Sequence, residues 1–160
     1  MAGKRVSAAY DARLARGTVK DDPAQRPVLA VFDSLAARLS QTQVGGFSWF
    51  MRLFARQPEA PGRSGVYLVG RVGRGKTMLM DLFYESVPEP RKRRVHFNAF
   101  MQDIHARIHA VRQVRHEADV IAPVAAQVIE ETRLLCLDEF QVRDIADAML
   151  LGRLFEALFA

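Results

Sequence analysis

The sequence predicts an α/β fold in which helices cover a mainly parallel β-sheet. Three observations predict it. From residue 65 onward, short apolar runs alternate with amphipathic segments; a glycine-rich loop joins one such run to one such segment; and a later apolar run ends in two carboxylates. Strands that alternate with helices favour parallel pairing with helices on the sheet faces.

Residues 1–64 predict an N-terminal helical segment that leads into the core. Apolar residues recur at helical spacing within residues 27–39, and Ser48–Arg56 predicts a second, short helix. The basic stretch 1–17 has no continuous apolar core, so it is not a secretory signal. We expect a solvated basic tail there, with the stub of a mitochondrial presequence as the less favoured alternative.

Residues 65–160 predict the first part of a nucleotide-binding core. Apolar runs bounded by turn residues predict strands, and longer periodic segments predict helices. The predicted strands are Val66–Val69, Arg94–Phe97 and Leu134–Leu137, and the predicted helices are Lys76–Ser86, Phe100–Glu117, 123–131 and Asp144–Ala160.

Composition restricts the classes of protein. The 160 residues suffice for one domain, and 49% of them are hydrophobic. The net charge of +5 permits an anionic partner, but nucleic acid binding is not the favoured interpretation. The single cysteine, Cys136, excludes an internal disulfide and fits a reducing compartment such as the cytoplasm. No apolar run approaches the roughly 18 residues that a membrane span needs.

The stretch GRVGRGKT matches the phosphate-binding P-loop pattern. Glycines let the backbone approach a ligand closely, and successive N–H groups at a helix start form an anion-binding concavity. We expect Lys76 to contact the β- and γ-phosphates and Thr77 to ligate Mg²⁺. The predicted nucleotide-binding residues are Gly70, Arg71, Val72, Gly73, Arg74, Gly75, Lys76 and Thr77.

The stretch LLCLDEF is an apolar strand that ends in Asp138 and Glu139. An aspartate in this position can hold the Mg²⁺ shell, as a Walker-B aspartate does. Glu139 is then the candidate general base that polarises the attacking water, with Lys76 as the second catalytic candidate. Together with the P-loop, this pair favours hydrolysis of a nucleoside triphosphate over phosphoryl transfer to a small acceptor.

Three longer stretches resemble the ZapE/AFG-like ATPase family: VYLVGRVGRGKTMLMDLFYESVP, RVHFNAFMQDIHARIH and LLCLDEFQVRDIADAMLLGRLFEALF. The resemblance implies an AAA+ type P-loop fold of three α/β/α layers. It also implies ATP and Mg²⁺ as ligands and a cytoplasmic, ATP-dependent role in cell division that remodels a protein assembly, the FtsZ ring. Relatives of this type share sites between neighbouring subunits, which makes a homo-oligomer an option, but the trans-acting residue is absent here and the oligomeric state stays open.

The resemblance also implies parts that these 160 residues do not supply. A strand carrying an asparagine sensor, an arginine finger and a small helical lid would follow in the family pattern. We therefore expect the chain to be a fragment or a truncated product that hydrolyses ATP weakly or not at all. Two alternatives stay open, a helicase-loader-like ATPase that binds DNA and a non-catalytic nucleotide-dependent adaptor.

Several other residues carry weaker signals. His105 and His109 have a spacing that can clamp a metal, although polar helix residues are the favoured interpretation. The run Arg91–Arg94, which enters the second predicted strand, is expected to be a solvated turn rather than a contact for an acidic partner or nucleic acid. Gln25 could read adenine through its amide, but a simple helix-start role for the Asp22-Pro23 pair is the favoured interpretation of this stretch. Trp49 and Phe50 are expected in the core, and Cys136 is expected to be a buried, inert thiol.

Overall fold

The computed structural model describes residues 5–41, 65–71, 73–114 and 119–159. Within these ranges the chain forms six helices and two strands. In chain order they are α1 (Val6–Ala15), α2 (Arg26–Gln41), α3 (Lys76–Ser86), β1 (Lys92–His96), α4 (Phe97–Val114), α5 (Ile121–Glu131), β2 (Leu134–Asp138) and α6 (Ile145–Phe159).

These elements fall into two compact units. The first unit contains α1, α2 and the segment Tyr67–Pro90 with α3, and the second contains residues 65–66 and all elements from Arg91 onward. The predicted boundary between residues 64 and 65 stays a prediction, because residues 42–64 lie outside the described ranges.

In the first unit, α1 begins where a carboxylate of α2 caps it. Asp33 Oδ1 accepts the backbone N–H of Val6 at 2.6 Å and of Ser7 at 3.2 Å, and the Ser7 hydroxyl donates to Asp33 Oδ2. Val6 and Tyr10 are fully buried. The predicted solvated tail is therefore wrong over residues 6–15, where an ordered helix docks through its apolar side chains.

The helix predicted over residues 27–39 is confirmed as α2, and the one predicted over Lys76–Ser86 is confirmed as α3. Both bury one apolar face, and the rings of Phe32 and Phe83 lie 4.6 Å apart between centroids. Burial of two such aromatic side chains contributes about 1.5–3 kcal/mol each.

In the second unit, β1 and β2 form a parallel pair in which His96 lies opposite Asp138 and Arg94 opposite Cys136. The predicted strand Arg94–Phe97 is displaced by two residues at its start, and Phe97 already belongs to α4. The other predicted elements of this unit are confirmed within a few residues. Their shared core contains Phe97, Phe100, Met101, Ile104, Ile108, Val111, Ile121, Val124, Ala125, Val128, Leu151 and Leu154.

The predicted buried strand Val66–Val69 is wrong. Residues 65–70 adopt neither helix nor strand, and Tyr67 and Val69 are 71% and 83% exposed. An apolar run becomes a strand only where a neighbouring strand pairs with its backbone groups, and in the described ranges no strand pairs with this segment.

A parallel α/β arrangement is therefore present, whereas the three-layer α/β/α architecture stays a prediction. The predicted helix Ser48–Arg56, with Trp49 and Phe50, lies outside the described residues. Among the helices that are described, none is long and apolar enough to cross a membrane.

Candidate functional site

The glycine-rich loop has the backbone conformation that its glycines permit. Gly73 and Gly75 have φ values of +80° and +76°, in the left-handed region that side chains with a Cβ rarely adopt. Gly75 is the N-cap residue of α3, and it supplies no side-chain cap to that helix. The first N–H groups of α3 can therefore face an anion. Val72 lies outside the described residues.

Lys76 folds back along this loop. Its Nζ donates hydrogen bonds to the carbonyl oxygens of Gly70 at 2.7 Å and Arg71 at 2.9 Å. An ammonium group has three donors, so one donor is left for a ligand after these two contacts. The loop thus already holds a positive charge at the N-terminus of α3, where a phosphate would bind, and Thr77 next to it is exposed.

Gln25 supports the loop from the side opposite to solvent. It is buried, and its Nε2 donates to the carbonyl oxygen of Arg74 at 3.2 Å. A Cβ on Gly75 would lie only 2.8 Å from that Nε2. Gln25 Oε1 is buried without a hydrogen-bond partner in the described part of the chain. The side-chain amide nitrogen of Gln25 is thus hydrogen-bonded to the loop. Adenine recognition by Gln25 stays a prediction.

The acidic strand end is held by neighbouring groups of its own unit. The side chain of Asp138 is 17% exposed; its Oδ2 accepts a hydrogen bond from Arg94 Nη2 at 3.0 Å, and its Oδ1 accepts the backbone N–H of Glu139 at 3.1 Å. Glu139 has a φ of +52° and an exposed side chain, with Oε2 4.0 Å from His96 Nδ1. A left-handed φ costs a residue with a Cβ about 1–2 kcal/mol, which marks this turn as constrained.

The predicted site residues thus lie in two groups. Gly70, Arg71 and Gly73–Thr77 belong to the first unit, and Asp138 and Glu139 belong to the second. Mg²⁺ accepts hydroxyl and carboxylate oxygens as ligands, and Thr77 in the first unit and Asp138 in the second each offer one. The magnesium and phosphate roles of these residues stay predictions.

The sequence reasoning missed the role of Arg94. The sequence predicts a solvated turn that enters a strand at Arg94, but Lys92 and Arg93 already belong to β1. Arg93 and Arg94 pair with Asp103 at 2.7 Å and Asp138 at 3.0 Å, respectively. The alternation of side chains along a strand could have predicted this pairing. Once the ends of the two strands are aligned, residue 94 falls on the same sheet face as residue 138.

The two candidate histidines lack the surroundings of a metal centre. His105 Nε2 lies 2.8 Å from Asp147 Oδ1, and no cluster of three or more potential metal ligands exists among the described residues. Cys136 is buried as predicted, and burial raises the pKa of its thiol to about 11.

Comparison with known proteins agrees with these motifs. The family described as AFG1-like ATPase matches residues 5–160. Lactation elevated protein 1 homolog B of Danio rerio is 54% identical over 111 residues, covering 64% of this chain and 22% of that protein. An uncharacterized protein of Schizosaccharomyces pombe is 37% identical over 177 residues, covering 93% of this chain and 39% of that protein.

The cell division protein ZapE of Escherichia coli K12 is 51% identical over 96 residues, covering 60% of this chain and 25% of ZapE. The chain thus spans between about a fifth and two fifths of the length of these relatives. No solved structure matches the chain. Since the family match extends over nearly all residues, the chain belongs to the AFG1-like ATPase family.

Proposed function

We propose that this chain binds Mg·ATP and supplies the phosphate-binding part of an ATP-hydrolysing site. In this proposal, residues Gly70–Thr77 bind the polyphosphate through backbone N–H groups and the Lys76 ammonium group. Thr77 and Asp138 contribute oxygens to the Mg²⁺ shell. Mg²⁺, when bound, offsets charge on the phosphate oxygens.

The observation that carries the proposal is the geometry of the loop. Two glycines with left-handed φ precede a helix that has no side-chain cap from its N-cap residue, and a lysine ammonium group is held beside it. A turn that served only to reverse the chain would not need a lysine ammonium group folded onto the loop's carbonyl oxygens. Anion binding accounts for all three features.

For hydrolysis, the proposal assigns the base role to Glu139. Its carboxylate follows the strand that carries Asp138 and is exposed to solvent, so it is accessible to a water molecule. Lys76 stabilises the charge that develops on the transferred phosphoryl group. Both roles rest on the residue types and on the family.

The biological role in the proposal comes from the family. By resemblance to the ZapE protein, we propose that this protein acts in the cytoplasm on a protein assembly of cell division, the FtsZ ring, and works as a homo-oligomer. The chain matches only 25% of ZapE, so these assignments extend beyond the matched region.

Binding rather than turnover is the direct test of the chain itself. We expect a fluorescent ADP analogue to bind in the presence of Mg²⁺. Asp138→Asn should weaken that binding in Mg²⁺ but not in EDTA, because only the metal contact is lost. Glu139→Gln should bind as the parent does, since its proposed role is in water activation. Equal binding by Asp138→Asn and the parent at every Mg²⁺ concentration would contradict the metal role.

A DNA-binding measurement on the same purified chain distinguishes the proposed function from that of a helicase-loader-like protein. A helicase-loader-like protein would bind single-stranded DNA with an affinity that falls steeply with salt, because phosphate contacts release counterions. We expect no such salt-dependent DNA binding.

A further inference from the structure

We propose that Arg94 is an internal counter-ion that competes with Mg²⁺ for Asp138 and so sets the magnesium requirement of nucleotide binding. This inference rests on the proposed function, because it concerns the same magnesium carboxylate. It goes beyond that function by naming a residue that controls when the carboxylate is available.

Both oxygens of the Asp138 carboxylate already have a partner. Arg94 Nη2 donates to Oδ2 at 3.0 Å, and the backbone N–H of Glu139 donates to Oδ1 at 3.1 Å. The contact with Arg94 is built into the sheet, because Arg94 lies opposite Cys136, two residues before Asp138 on the same face. The Asp138–Glu139 contact is local to the turn, whereas Arg94 comes from the neighbouring strand.

Because both are cations, Arg94 and Mg²⁺ compete for the Asp138 carboxylate. A carboxylate paired with one guanidinium has no net negative charge left for a dication. An arginine side chain does not lose its proton in a protein, so the competition ends only when the guanidinium group moves. The Arg94 side chain is 32% exposed, which leaves it a path toward solvent.

Mg²⁺ can therefore take Asp138 only by displacing the guanidinium group of Arg94. In this way Arg94 keeps Asp138 neutralised until Mg²⁺ arrives.

The neighbouring residue Arg93 provides a matched control. It pairs with Asp103 at 2.7 Å, and Asp103 also accepts a hydrogen bond from Arg107 Nε at 3.1 Å. The substitution Arg93→Gln therefore removes the same charge from the adjacent position of β1 without touching Asp138.

The experiment measures retention of a fluorescent ADP analogue by the 160-residue chain across a Mg²⁺ titration and in EDTA. Arg94→Gln should lower the half-saturating Mg²⁺ concentration by about tenfold, because the carboxylate loses its competing cation. Arg94→Lys, which keeps the charge, should stay near the parent value, and so should Arg93→Gln. Retention in EDTA should be the same in all four proteins, and thermal melts verify that each is folded.

An unchanged or higher magnesium requirement in Arg94→Gln would overturn the inference while leaving the proposed function intact. An equal shift in Arg93→Gln would overturn it too, since the effect would then be one of net charge. If the folded parent retained no nucleotide under any condition, the proposed function would fail and the inference with it.

Discussion

Gln25 Nε2 donates a hydrogen bond to the carbonyl oxygen of Arg74 across 49 positions of sequence. This contact links the residue just before α2 to the last turn of the phosphate loop. Because Gln25 is buried and lies where a Cβ of Gly75 would be, the loop conformation depends on a residue outside the loop motif.

The first prediction concerns Gly75. The substitution Gly75→Ala forces a left-handed φ on a residue with a Cβ, at a cost of about 1–2 kcal/mol, and drives that Cβ into Gln25. We expect a lower free energy of unfolding in urea denaturation and weaker nucleotide retention. Both measurements are needed, since the clash affects the fold and the loop alike.

Gly73→Ala is the control for that prediction. Gly73 has a similar φ of +80°, but no atom lies within 4 Å of the added Cβ. Gly73→Ala should lower the free energy of unfolding only by the cost of a left-handed φ in alanine. Gly75→Ala should therefore be the more destabilising change. The account is wrong on this point if Gln25→Ala fails to recover any stability in the Gly75→Ala background, because the two residues would then be uncoupled.

The second prediction concerns the cap of α1. Asp33→Ala leaves the N–H groups of Val6 and Ser7 without their acceptor, which should cost about 1–2 kcal/mol of unfolding free energy. Thermal unfolding and amide hydrogen exchange at these two residues test it. Asp21→Ala breaks only an exposed pair with Arg26 and should cost about 0–1 kcal/mol. Equal effects of the two substitutions would argue against the cap.

The third prediction concerns the thiol of Cys136. Burial raises its pKa to about 11, so the thiol stays protonated at pH 8 and should react slowly with a disulfide reagent in the native chain. In 8 M urea the same thiol should react rapidly. Rapid labelling of the folded chain at pH 8 would contradict the burial of β2.

The shift in this pKa also predicts a pH dependence of stability. The folded value is higher than the ordinary value of 9.0, so the unfolded thiol releases its proton first as the pH rises. The stability that comes from a neutral Cys136 is complete below about pH 9 and should decline between pH 9 and 11. Cys136→Ala should lack this part of the decline in a urea titration.

Sequence patterns correctly predicted the helices that are determined by residues within or next to them. Helices α2 and α3 follow from apolar periodicity, and the end of α3 at Ser86 follows from the prolines beyond it. The position of α6 follows similarly, and Asp144 Oδ1 accepts the N–H of Ala146 at 2.9 Å as its first turn begins. In each case the determining residues lie within a few positions of the element.

Contacts distant in sequence explain what the patterns missed. The start of α1 depends on Asp33, 27 positions away from Val6. The pairing of Arg94 with Asp138 depends on strand register over 44 positions. The segment Val66–Val69 reads as a strand by composition, but strand formation needs a partner, and composition does not specify one.

The most direct test of the central claim is equilibrium dialysis of Mg·ADP against the folded chain and its Lys76→Ala variant. The ammonium group of Lys76 lies against the carbonyl oxygens of Gly70 and Arg71, so its removal takes the charge from the loop. We predict that the parent and the control Lys20→Ala retain the nucleotide and that Lys76→Ala loses about tenfold or more in affinity. Equal retention by Lys76→Ala and the parent, or no retention by either, would contradict the account.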